Sequence, residues 1–146
     1  MIRKIYRKVY RKVYLAHSPT ELERGRKVLV ILERNTFKVF NPFEESVNRG
    51  LVIKPQTPAT TDVSVVWRDL GQVLESDLVV CLYPEKAQTI GIPCEMFMAW
   101  MYLTSVISFV PEKLLKHPWI VKMSKIVRIG SGEKIMEAMK ELEEGA

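Results

Sequence analysis

Cysteine is scarce in this chain. Two occur in 146 residues, Cys81 and Cys94, and neither sits in a Cys-x-x-Cys pair or a Cys/His ligand spacing. The sequence therefore offers no disulfide framework and no metal site. Cys81 lies inside an apolar run, where a thiol packs as a small hydrophobe. Histidine is equally sparse, with only His17 and His117, and no nucleophile elbow offers a serine for a triad. The glycine fingerprints for dinucleotides and nucleoside triphosphates are missing. Gly130-Ser131-Gly132 is too short to replace them and reads as a turn. No apolar run approaches the ~20 residues that span a bilayer. The longest candidate, Met96 to Val110, is interrupted by Thr104, Ser105 and Ser108. The basic N-terminus is not followed by an apolar signal core and a small-residue cleavage site. A cytoplasmic protein with no membrane partner is expected.

What is present fits one domain with a proper core, since 47% of the residues are hydrophobic. The net charge of +5 is concentrated at one end. Arg3, Lys4, Arg7, Lys8, Arg11 and Lys12 are six of the 22 basic residues, and without them 16 basic face 17 acidic, a net of −1. These six belong to a repeat, RKIY-RKVY-RKVY, which brings Tyr6, Tyr10 and Tyr14 to i, i+4 spacing. Such a segment can meet phosphate or stand as a solvated extension. The second is expected, with residues 1–11 an extension, 12–146 the domain, and nucleic acid not a partner of the domain itself.

Beyond the extension, strand and helix signals alternate. KVYLA, from Lys12 to Ala16, reads as a first strand. Ser18-Pro19-Thr20-Glu21 predicts a helix start, with Ser18 as cap, Pro19 in the first turn and Glu21 completing a capping box. Leu22, Val28, Leu29 and Leu32 continue at helical spacing. Phe37 to Phe40 is a short second strand. Residues 43–60, with Pro55 and Pro58, read as an irregular loop. Val63, Val66, Trp67, Leu70, Val73 and Leu74 predict a helix from Thr61 to Leu74. The continuous apolar run from Leu78 to Tyr83 suits a strand buried on both faces. Pro93 opens a helix, reaching about Leu103, that is apolar nearly all round. That pattern asks for sheet packing on one side and a partner subunit on the other. Strands at Val106–Val110 and Ile126–Ile129 follow. A last helix runs from Ser131 to Glu144, with Ile135, Met139 and Leu142 inward.

Five alternations predict an α/β fold with one five-stranded parallel sheet and helices on both faces, flavodoxin- or Rossmann-like. With strand order 2-1-3-4-5, ligands bind at the carboxyl ends of strands one and three. That places Tyr14 to Ser18 and Tyr83 to Glu95 around the site. Two carboxylates fall near it. Glu95 is expected in the first helical turn after Pro93, where the helix N-terminus favours an anion. Asp69 is expected near the end of the preceding helix. A carboxylate can attack an anomeric carbon while a second group manages protons. On spacing alone the plainer reading, a favourable terminal charge and a surface residue, is favoured.

These segments resemble the nucleoside 2-deoxyribosyltransferase family and its nucleotide N-hydrolase relatives. The matching stretches are VYLA with Tyr14, RDLGQVLESDLVV with Asp69 and Asp77, TIGIPCEMFMAW with Gly91 and Glu95, and IVKMS at 120–124. The likeness covers roughly residues 12 to 130. It implies Glu95 as nucleophile at C1′ of deoxyribose, Tyr14 as the hydrogen-bond donor that orients it, and Asp69 as sugar ligand or proton relay. His17, Ser18, Thr89 and Gly91 would contact substrate. It implies no metal or organic cofactor, and a homodimer or larger assembly whose subunits complete each other's sites. Two positions depart from the transferases: Thr89 stands where they place an aspartate, and Ser18 where they place a small residue. The hydrolases of deoxynucleoside 5′-monophosphates carry hydroxyls at both. They also carry an arginine near the position of Thr20, which this chain lacks. The expected activity is cleavage of the N-glycosidic bond in 2′-deoxyribonucleosides or their 5′-monophosphates, leaning to monophosphate hydrolysis. Base exchange between deoxynucleosides is the alternative. A nucleotide-binding protein without turnover is the alternative of another class.

Overall fold

The computed structural model describes residues 10–43, 64–86 and 89–145. Residues 1–9 and the loop expected over most of 43–60 lie outside that set.

β1 (Lys12–His17) leads through a 3₁₀ turn (Pro19–Glu21) into α1 (Leu22–Arg34), and β2 (Lys38–Phe40) follows. Then come α2 (Ser64–Glu75), β3 (Leu78–Leu82), α3 (Gly91–Met101) and β4 (Ser105–Val110). A second 3₁₀ turn (Glu112–Leu114), α4 (Pro118–Met123), β5 (Ile126–Ile129) and α5 (Ile135–Gly145) complete the described chain. All four strand pairs are parallel and the order is β2-β1-β3-β4-β5, as expected.

The pleat sorts the strand residues into two cores. Val13 and Leu15 of β1 join Leu78, Val80 and Leu82 of β3 on one face, under α1 and α5. Ile135, Met139 and Leu142 of α5 close that side. Tyr14 and Ala16 point to the opposite face with Val79 and Cys81, where α2, α3 and α4 pack through Val73, Met96, Ala99 and Ile120. Cys81 is fully buried and burial pushes its thiol pKa up, so it behaves as a hydrophobe. The chain leaves β1 for the first face and leaves β3 for the second. A crevice consequently opens between the carboxyl ends of these neighbouring strands.

Several local expectations are corrected. The capping box does not form: the Ser18 hydroxyl meets the Thr20 hydroxyl at 2.6 Å, and Glu21 N–H bonds the Ser18 carbonyl at 3.0 Å. The proline-led start closes as a 3₁₀ turn first, which draws Ser18 away from the amides it would cap. Tyr10, placed in the extension by the sequence reading, is a core residue whose hydroxyl lies 3.4 Å from that of Ser105. The first strand is then anchored by Asp77, whose Oδ2 accepts from the amides of Arg11 and Lys12 at 3.1 and 2.9 Å. The short helix α4 was not foreseen; it lies in the IVKMS stretch. α3 starts at Gly91, two residues before Pro93. α5 starts at Ile135, because Gly130 and Gly132 both take positive φ and hold residues 130–134 in a turn. A Cβ on Gly132 would also stand 2.8 Å from Leu82 Cδ2, so that turn requires glycine. Among the described residues no helix is long and apolar enough to cross a membrane.

Candidate active site

Tyr14 sits mid-strand on the face covered by α2 and α3 and is fully buried. A buried phenol needs a partner, and its hydroxyl donates to Glu95 Oε1 at 2.8 Å. Tyr14 and Glu95 are thus joined across the gap between β1 and the second turn of α3. Because α3 starts at Gly91, Glu95 is its fifth residue and not in its first turn. The expected stabilisation of the anion by the helix terminus is therefore replaced by its opposite. Burial raises the Glu95 carboxyl pKa to about 8; the Tyr14 hydrogen bond opposes the rise and the negative charge of Asp69 adds to it. Gly91 lies directly beside this carboxyl: a Cβ there would stand 3.6 Å from Glu95 Oε1.

Asp69 is in the middle of α2, not near its end. Its carboxylate is half-buried and bound by the neighbouring Arg68, with Oδ1 accepting from Nε at 2.8 Å and Nη2 2.7 Å away. Burial raises the Asp69 pKa, and the Arg68 hydrogen bond and charge counter that rise. Tyr14 feels both carboxylates: burial lifts its pKa first, then the charges of Glu95 and Asp69, while Arg68 lowers it. Three of the expected residues, Tyr14, Asp69 and Glu95, therefore share one electrostatic cluster. Arg68 completes it and was not singled out in the sequence. The signal available was the adjacent Arg-Asp pair on a helix that faces the sheet.

The remaining expected ligands are placed differently. His17 is buried, with Nδ1 2.9 Å from the Ser18 carbonyl and Nε2 3.0 Å from Asn41 Oδ1. Both ring nitrogens thus serve the fold, fastening the end of β1 to the end of β2, and the ring rests on Phe43. Ser18 is buried beside it. Thr89 lines an apolar cavity of about 540 Å³ with Pro84, Pro93, Phe97, Leu114 and Trp119. Neither Ser18 nor Glu95 lines that cavity, so Ser18 and Thr89 do not face each other across it. Lys113 Nζ donates to the Glu85 carbonyl at 2.7 Å, linking the chain after β3 to the turn after β4. Another unforeseen group is Arg24, which donates to the carbonyls of Tyr83, Gly130 and Ser131 at 2.7–2.9 Å. It ties α1 to the carboxyl ends of the sheet.

In sequence, no protein-family model and no curated protein matches the chain. Its fold does match solved structures. A conserved protein from Enterococcus faecalis superposes with a TM-score of 0.67 at 18% identity, over 92% of this chain and 99% of that one. A 2-deoxyribosyltransferase from Bacillus psychrosaccharolyticus gives 0.65 at 17% identity, over 92% of each. A CMP N-glycosidase from Clostridium botulinum gives 0.60 at 18% identity, over 90% of this chain and 98% of that one. At these identities the likeness establishes a shared fold: the five-stranded parallel sheet with flanking helices.

Proposed function

We propose that this protein cleaves the N-glycosidic bond of a 2′-deoxyribonucleoside or its 5′-monophosphate, with Glu95 as the nucleophile. The observation that carries the reading is the hydrogen bond from the buried Tyr14 hydroxyl to Glu95 beside the Arg68–Asp69 pair, at the switch point of the sheet. In the reaction, a Glu95 carboxylate oxygen forms a bond to C1′ as the bond from C1′ to the base nitrogen breaks. The base leaves with that electron pair and takes up a proton; Asp69, ionised at rest, holds the sugar or relays that proton from water. Water then attacks C1′, releases the sugar and frees Glu95; a second base attacking instead gives exchange. Tyr14 fixes the attacking oxygen and stabilises its charge against the cost of burial.

Monophosphate hydrolysis takes first place. The CMP N-glycosidase among the similar folds acts on a nucleoside monophosphate. The paired Ser18 and Thr20 hydroxyls at the start of the 3₁₀ turn are the candidates to reopen around a 5′-phosphate. A homo-oligomer is part of the reading. Phe97, Trp100 and Met101 of α3 and Trp119 of α4 leave apolar surface exposed on a single chain.

The test is incubation with a panel of nucleosides and 5′-monophosphates, deoxy and ribo, with and without a second base. Free base alone supports hydrolysis and a new nucleoside supports exchange. Tight binding with neither product supports the non-catalytic alternative.

A further inference from the structure

Arg68 is the charged group in this cluster to which the chemistry above gives no task. Its side chain is only 13% exposed and that of Asp69 15%. Nε and Nη2 both close on one Asp69 oxygen, and Nη2 also donates to the Pro42 carbonyl at 3.0 Å. The guanidinium carbon lies 5.5 Å from the centre of the Phe40 ring. Phe40 in turn stacks on Tyr14, with centroids 5.7 Å apart and planes 19° from parallel. One guanidinium therefore reaches both halves of the site: Asp69 by its edge, and Tyr14 through Phe40 by its face.

We propose that Arg68 is a positioning residue of the site, fixing Asp69 with its fork and backing the Phe40–Tyr14 stack that aims the phenol at Glu95. The inference rests on the glycosidic reading for its catalytic consequence. Among the described residues, the groups electrostatically linked to Asp69 are Arg68 on its own helix, Tyr14 on β1 and Glu95 on α3. With Arg68 in place, Asp69 can stay ionised next to a carboxyl that burial makes hard to ionise. Without it, desolvation acts on Asp69 unopposed, and its pKa rises further.

The experiment compares wild type, Arg68→Gln and Arg68→Lys by two readouts. The first is the pH profile of kcat/KM on the best nucleotide substrate. The second is carbon NMR titration of the Asp69 carboxyl in the protein without substrate. In wild type the profile loses one proton's worth of activity below the Glu95 value of about 8, then steepens where Asp69 also protonates. In Arg68→Gln that steepening should begin at higher pH, the Asp69 titration should move up with it, and kcat should fall about a hundredfold from misplacement. Arg68→Lys restores the charge without the fork, so it should recover the titration but only part of kcat. An unmoved Asp69 titration in Arg68→Gln overturns the proposal. So does an unchanged profile shape with a loss confined to KM. Should Arg68→Gln fail to fold, Arg68→Lys decides: kcat equal to wild type overturns it. If no nucleotide yields free base, the glycosidic reading has failed, and the carboxyl titration alone judges Arg68.

Discussion

Glu95 is in an environment that works against its charge. Its pKa of about 8 stands far above the ordinary carboxylate value, so the folded protein holds a proton that the unfolded chain releases. Between about 4.5 and about 8 the native state binds more protons than the unfolded one, and stability must fall as pH rises through that window. Glu95→Gln removes the titration while keeping an oxygen for the Tyr14 hydroxyl. The variant should match wild type near pH 4.5 and gain over it as pH rises, to about 1–3 kcal/mol above pH 8 after discounting for solvent screening. Thermal melts across that range would show the gap as several degrees, and parallel curves would refute the assignment. At this scale the sequence was partly legible. Tyr14, Asp69 and Glu95, singled out by their place on the expected elements and by the family resemblance, are brought together by the fold. The sign of the environment at Glu95 was not legible, because it depends on a helix starting two residues early and on burial by other elements. The bonding of His17 was hidden for a similar reason: its partner, Asn41, is 24 positions away.

The elements were the most legible level, because a strand buried on two faces and an amphipathic helix each write their period into the sequence. The five strands stood out as apolar runs between turn signals, and their alternation fixed the sheet. Boundaries set by local backbone chemistry were harder. The proline after Ser18 gave a 3₁₀ turn, and paired glycines delayed α5. α1 also carries a requirement that no periodicity shows. It packs so closely on the end of β1 that a Cβ at Gly25 would lie 2.5 Å from His17 Nε2. That ring is pinned by Ser18 and Asn41 and cannot swing aside. Gly25→Ala should therefore cost about 1–3 kcal/mol despite its better helix propensity, as overpacking does. A denaturation midpoint equal to or above wild type would show that the contact is slack.

For the whole molecule, the sheet order and the crevice followed from topology rules, while the proposed contact between subunits rests on exposed apolar surface alone. Trp119 is 64% exposed and Met101 56% on a single chain. If a second copy covers this face, Trp119→Glu should convert the assembly to monomer in analytical ultracentrifugation, since a central aromatic anchor carries about 2 kcal/mol or more of association. A wild-type monomer would remove that part of the reading. If Glu95 breaks a glycosidic bond, the rate of free-base release from the best nucleotide by wild type, Glu95→Gln and Glu95→Ala, each verified as folded, reports it. Loss of the attacking carboxylate should lower the rate by about three orders of magnitude or more in both variants. Release within about tenfold of wild type in either would contradict the account, because a missing nucleophile cannot cost so little.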